Sequence, residues 1–120
     1  MNYHVHIYFD VQQKQKIELL IKKLLLELAL LKIKFVCQHD KPVGPHIKPM
    51  VELNFQENAF PVLQQWLSQN VDDFSCLIHR DTGDDLKDHG EGFLWLGKPL
   101  PLNFEFFNKI KQNPELKVHF

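Results

Sequence analysis

Cysteine is scarce in this 120-residue chain: there are two, Cys37 and Cys76, far apart and in no Cys-x-x-Cys pattern. That excludes a disulfide scaffold and a zinc-finger spacing, and points to free thiols in a reducing compartment. Charge of one sign is also lacking, with 14 Lys and Arg against 15 Asp and Glu and a formal net charge of −1. A surface built to hold phosphates needs a basic excess, so nucleic acid is not expected as a partner. No apolar run is long. The stretch 24–31 is the greasiest, yet it is interrupted by Glu27 and is far too short to cross a bilayer. Residues 1–6 lack a basic segment followed by an apolar signal core, so the expectation is a cytoplasmic protein with no membrane partner. A Gly-rich phosphate loop and a Ser-based nucleophile elbow are missing too.

What is present suits a packed domain. The apolar share is 44 %, with 10 Phe and 2 Trp, and the length fits a single domain over residues 1–120. Tyr3, Val5, Ile7 and Phe9 alternate with His4, His6 and Tyr8, a period-2 strand with one buried face. Asp10 is placed to cap a helix running to about Leu31, whose apolar stripe is Ile17, Leu20, Ile21, Leu24, Leu28 and Leu31. Ile33, Phe35 and Cys37 mark a second strand, and residues 39–45, with two prolines and Gly44, a turn. Ile47–Phe55 alternates again, with Pro49 predicting a bulge or a late strand start. Asn58 can cap a second helix that carries Pro61 in its first turn and Phe60, Leu63, Trp66 and Leu67 on its buried side. Phe74–His79 reads as a fourth strand, Phe93–Leu96 as an extra one, and Asn103–Ile110 as a further helix.

The order strand–helix–strand–strand–helix–strand predicts an α+β, ferredoxin-like βαββαβ fold: an antiparallel four-stranded sheet with two helices on one face and an extra C-terminal strand or helix. In that arrangement the first strand lies between the third and the fourth. Burying Val5, Ile7, Val51, Leu53, Cys76 and Ile78 under the helices turns His4, His6, Glu52 and His79 to the other, open face, and His46 enters the third strand looking the same way. Imidazole is the commonest transition-metal ligand, and several with a carboxylate suit Fe(II), Mn(II) or Zn(II). Taken singly each residue has a plainer reading: His4 and His6 as solvated strand residues, His79 as a loop cap, Glu52 as a surface carboxylate. His39 and His119 carry no assigned role.

The loop 81–89 is acidic but lacks the calcium-loop spacing. It reads as a turn bent at Thr82-Gly83 and capped by Asp88, or, more sharply, as Asp88 orienting His89 for ligation or proton transfer.

Five segments in order, Tyr3-His4-Val5-His6-Ile7-Tyr8-Phe9, Pro42-Val43-Gly44-Pro45-His46, Leu77-Ile78-His79-Arg80-Asp81-Thr82-Gly83-Asp84, Asp88-His89 and Trp95-Leu96-Gly97, resemble the DOPA 4,5-dioxygenase family over residues 3–103. The resemblance implies a ferredoxin-like fold, an intracellular enzyme, and extradiol ring opening of a catechol such as L-DOPA with O₂. His4, His6, His46, His79 and His89 match its motifs. Ile47 and Arg80 stand where the family often has Pro, which leaves a long cation near the expected site.

On this basis the expected metal is Fe(II), with zinc or manganese as alternatives, held by His6, His46 and His79 with Glu52 as a further ligand. His4 or His89 is the expected base, and Tyr8 or Arg80 would stabilise negative charge on the substrate. The expected partners are a small aromatic substrate and a second copy of the chain, a homodimer formed through an exposed sheet face carrying Met50, Leu77 and aromatics. Two other functions remain open: a non-enzymatic ferredoxin-like module binding a small molecule or partner, and a metal-independent dimeric α+β monooxygenase.

Overall fold

The computed structural model describes residues 2–71, 73–84, 88, 93–103 and 105–106. Strand β1 spans Asn2–Tyr8 and leads through a short 3₁₀ turn, Val11–Gln13, into helix α1, Lys14–Glu27. Asp10 is extended, and its N–H donates to the Gln13 side chain at 2.9 Å, which satisfies a donor at the helix entrance. The helix ends earlier than the apolar stripe predicts. Leu28 leaves helical geometry, and Ala29–Leu31 forms a separate 3₁₀ turn that stops at Lys32.

Strands β2 (Lys34–His39) and β3 (Met50–Gln56) flank the proline-rich turn. Pro49 delays β3 to Met50, the late start expected, because proline has no N–H for the ladder. The irregularity lies in β2 instead, where the register shifts between Phe35 and Cys37. The extra residue puts Cys37 opposite Glu52 rather than on the Phe35 side, where strict alternation had it. Helix α2 runs Phe60–Asn70 and is capped by Ala59, not Asn58, because Glu57–Ala59 forms a 3₁₀ turn first. Strand β4 is Ser75–Arg80 and β5 is Phe93–Leu96. Of the predicted C-terminal helix only Asn103, Glu105 and Phe106 are described, the last two helical.

The sheet therefore has five strands rather than four, in the order β2-β3-β1-β4-β5, and its neighbours pair antiparallel. Both helices pack on one face: Ile17, Leu20, Ile21 and Leu24 of α1 and Leu63, Trp66 and Leu67 of α2 share a cluster with Val5, Ile7, Val51, Leu53, Cys76 and Ile78. Each aliphatic side chain taken fully from water there contributes about 1.5–3 kcal/mol against an exposed position, before the entropy of ordering is subtracted.

The opposite face is not open, as the sequence had suggested. Tyr8, Met50 and Leu77 are buried there, packed with Val43, Trp95, Leu100, Leu102 and Phe106 from flanking segments and β5. Met50 and Leu77 are 0 % exposed, so they offer no surface for self-association.

Candidate metal centre

Strand alternation does the gathering. His4 and His6 on β1 lie opposite His79 and Leu77 of β4 on one side, and opposite Asn54 and Glu52 of β3 on the other. Directly opposed residues share a face, so three histidines and a carboxylate meet over the middle of the sheet. One nitrogen from each of His4, His6 and His79 lies within 4.8 Å of the other two. His6 and Glu52 are 0 % exposed, His79 2 % and His46 3 %. Neither the solvated nor the surface-carboxylate reading holds for them.

Hydrogen bonds settle which nitrogen each ring can offer. The Nδ1 of His79 lies 2.8 Å from the Arg80 carbonyl, and a carbonyl only accepts, so Nδ1 carries the proton and Nε2 the lone pair. That Nε2 lies 2.9 Å from Nε2 of His6. A single proton between two ring nitrogens can be replaced by a cation. The other ring nitrogen of His6, Nδ1, lies 3.9 Å from Oε1 of the buried Glu52 carboxyl, longer than a hydrogen bond. Burial pushes the Glu52 carboxyl above its ordinary range; His4 opposes that shift and Asp81 adds to it. A donor set of three imidazoles with a carboxylate behind it fits a divalent transition metal.

His4 is held from the edge of the site. Its Nε2 lies 3.2 Å from Oδ2 of Asp81, whose N–H in turn donates to the Asn2 carbonyl at 2.9 Å. An ionised carboxylate accepts only, so the His4 proton sits on Nε2 and its buried Nδ1 has the lone pair. Sequence reading missed Asp81. The signal was there, since it stands two residues beyond His79 and so continues the same face.

His46 comes from the turn before β3, and its ring centroid lies 4.4 Å from that of His6. Its Nδ1 is 2.6 Å from the Tyr8 hydroxyl. Burial, with a smaller effect of Cys76, drives the Tyr8 phenol far above its ordinary value, so the hydroxyl stays protonated and donates. The ring proton of neutral His46 is then on Nε2. Tyr8, expected to stabilise negative charge on the substrate, is 2 % exposed and hydrogen-bonded to His46. Arg80 shares the helix-side alternation of Cys76 and Ile78 and contributes its carbonyl, not its cation, to the histidine face. His89 lies outside the described residues. Asp88, 1 % exposed, accepts from the N–H and hydroxyl of Thr82 at 2.8 and 2.7 Å, the capped turn foreseen at Thr82-Gly83.

A five-stranded antiparallel sheet with two helices on one face and three converging histidines on the other defines an α+β protein with a candidate metal centre. The model of the Dopa 4,5-dioxygenase family matches residues 3–106, and the chain belongs to that family. It is 27 % identical over 107 residues to a DOPA 4,5-dioxygenase of Amanita muscaria, covering 84 % of this chain and 47 % of that one. It is 32 % identical over 81 residues to an uncharacterized 21.2 kDa protein of Botryotinia fuckeliana, covering 61 % and 44 %. The chain therefore spans less than half the length of these curated relatives. A crystal structure of a "putative dioxygenase" from Nostoc punctiforme superposes with a TM-score of 0.81 at 33 % identity, covering 91 % of this chain and 92 % of that one.

Among the described residues, no helix is long and apolar enough to cross a membrane.

Proposed function

We propose that this protein is an extradiol dioxygenase that opens the ring of a catechol such as L-DOPA with O₂ at a histidine-held divalent metal, iron(II) by preference. The observation that carries the reading is the convergence of His4, His6 and His79 within 4.8 Å on a covered sheet face, in a chain of the Dopa 4,5-dioxygenase family. The likeness to the Amanita and Nostoc proteins supports an oxygenase rather than a plain binding module. The strand order, with both helices on one face, supports a ferredoxin-like topology to which β5 has been added.

The metal, when bound, supplies Lewis acidity toward the two catechol oxygens and a means of activating dioxygen. In the overall reaction a ring carbon–carbon bond beside the diol breaks, and both atoms of O₂ enter the product. His6 and His79 hold the metal through Nε2, and His4 completes the set through Nδ1. His4 thereby moves from the role of base to that of ligand, and His46 from ligand to proton donor. Glu52, with its Oε1 3.9 Å from the His6 Nδ1, stands behind that ring as a buried carboxyl without taking a coordination position itself. Tyr8 keeps the His46 proton on Nε2, where it can be given to a substrate oxygen as negative charge develops. The apolar cover from Val43, Trp95, Leu100, Leu102 and Phe106 keeps water from one end of the site.

The test is metal analysis of anaerobically prepared protein together with O₂ uptake and visible absorbance on a catechol panel. Stoichiometric iron and a yellow product from L-DOPA are expected in the wild type, with both lost in His6→Ala and His79→Ala. Iron content unchanged in both variants, or no turnover of any catechol by the iron-loaded protein, overturns the reading.

A further inference from the structure

The histidine face is closed at one end and accessible at the other. Along β1, Tyr8 is 2 % exposed and His6 0 %, while the His4 side chain is 16 % exposed and Asn2 lies in solvent. A ligand therefore approaches from the Asn2 end. There the register sets a polar row across three strands: His4 of β1 opposes Asn54 of β3, and Asn54 opposes Lys34 of β2. Opposed residues share a face, so Lys34 stands on the histidine side of the sheet, two strand spacings or about 10 Å from His4.

A cavity of about 270 Å³ opens at this end, lined by Asn2, Lys32, Lys34, Asn54, Phe55 and Gln56. No carboxylate is among its described lining residues, and neither Lys32 nor Lys34 forms an ion pair among the described residues. Asn54 brings an amide to it whose Oδ1 is buried and lacks a hydrogen-bond partner among the described residues. Lys32 has φ 55°, the left-handed conformation at the end of the 29–31 turn. Glycine takes that position without steric cost. Lysine there is strained, and an observed strain of this kind is a pointer to function. Two unpaired cations and an unmet amide thus face one hollow beside the accessible end of the histidine cluster.

We infer that this hollow is the anion subsite of the catechol site: Lys34, with Lys32, takes a carboxylate on the substrate while the diol faces the histidines. The inference rests on the catechol reading above and narrows it to catechols that carry a carboxylate on a short side chain. Lys32 and Lys34 are then specificity-determining residues that touch the substrate remote from its reacting carbons.

The test is titration of the full chain, followed by amide NMR, with 3-(3,4-dihydroxyphenyl)propionate and with the uncharged 4-propylcatechol. The acid is expected to shift the amides of Lys34, Asn54 and Gln56 and to bind more weakly as ionic strength rises. Lys34→Gln, and more so Lys32→Gln with Lys34→Gln, should weaken the acid about three- to tenfold and leave 4-propylcatechol unchanged. An unchanged amide spectrum in the unliganded variant shows that the fold is intact. Equal affinity for acid and uncharged catechol, or equal losses for both in the variants, overturns the subsite. The two readings fail separately. Selective acid binding without turnover of any catechol removes the dioxygenase and keeps the subsite, whereas turnover indifferent to the side-chain charge and to Lys34 does the reverse.

Discussion

Asp81 shows how much of this site depends on single hydrogen bonds. A histidine offers a metal one nitrogen, and which one is set by what the other nitrogen touches. Here the Asp81 carboxylate at 3.2 Å takes the Nε2 of His4, the Arg80 carbonyl takes the Nδ1 of His79, and Tyr8 takes the Nδ1 of His46. Removing such a partner leaves the ligand in place but free to rotate and to change tautomer. Asp81→Ala should therefore weaken zinc binding about 10–100-fold, read by competition with a chelating dye, with the secondary structure preserved. Unchanged affinity would show that His4 needs no orientation from Asp81. His4, His6, His79 and Glu52 were legible as residues sharing a face, from alternation alone. Their hydrogen-bond partners were not, because no side-chain period marks the Arg80 backbone carbonyl, and Asp81, though in phase with His79, lies past the strand where alternation ceases to be expected. His46 was legible as a neighbour of the cluster, but its pairing with Tyr8 had to be seen.

Among the elements, the join between β5 and the sheet is the most demanding piece of backbone. Gly97 follows β5 with φ 75°, and a Cβ added there would lie 2.7 Å from the Phe74 carbonyl oxygen. Both the left-handed conformation and the close approach exclude a side chain. Gly97→Ala should cost roughly 1–3 kcal/mol, measured as a lower denaturation midpoint at an unchanged denaturant slope. A midpoint equal to that of the wild type would mean that the segment shifts freely. This strand was foreseen from the apolar run 93–96, and so was the late start of β3 after Pro49. The bulge in β2 was not. Nothing in the order Lys34, Phe35, Val36, Cys37 signals an extra residue, and a one-residue slip moves every later side chain to the other face. It is this slip that sets Cys37 opposite Glu52.

At the scale of the whole molecule, burial has consequences for pH. The Cys37 thiol is pushed up from 9.0 to about 11, first by burial and then by the nearby Glu52 charge, and burial raises the fully buried Cys76 still further. Above the unfolded value the native state keeps protons that the unfolded chain has lost. Stability conferred by these thiols is thus fully present below about pH 9 and falls as pH rises toward 11. The urea midpoint should drop between pH 8.5 and 10.5, and less steeply in Cys37→Ser. Equal slopes in the two proteins would remove Cys37 as a cause. The cover over the histidine face was the largest departure from expectation. A sheet of four strands leaves one face bare; here one end of that face is covered by Trp95 of β5 and by Val43, Leu100, Leu102 and Phe106.

Local pattern was enough to order the strands and helices and to set His4, His6, His79 and Glu52 on one face, since side-chain period and turn chemistry act between near neighbours in the chain. Depth, proton position and access were decided only by tertiary structure. Whether a face meets water depends on segments remote in sequence that fold over it. Whether an imidazole nitrogen is a donor or a lone pair depends on one partner atom about 3 Å away, and a linear sequence carries no record of that distance.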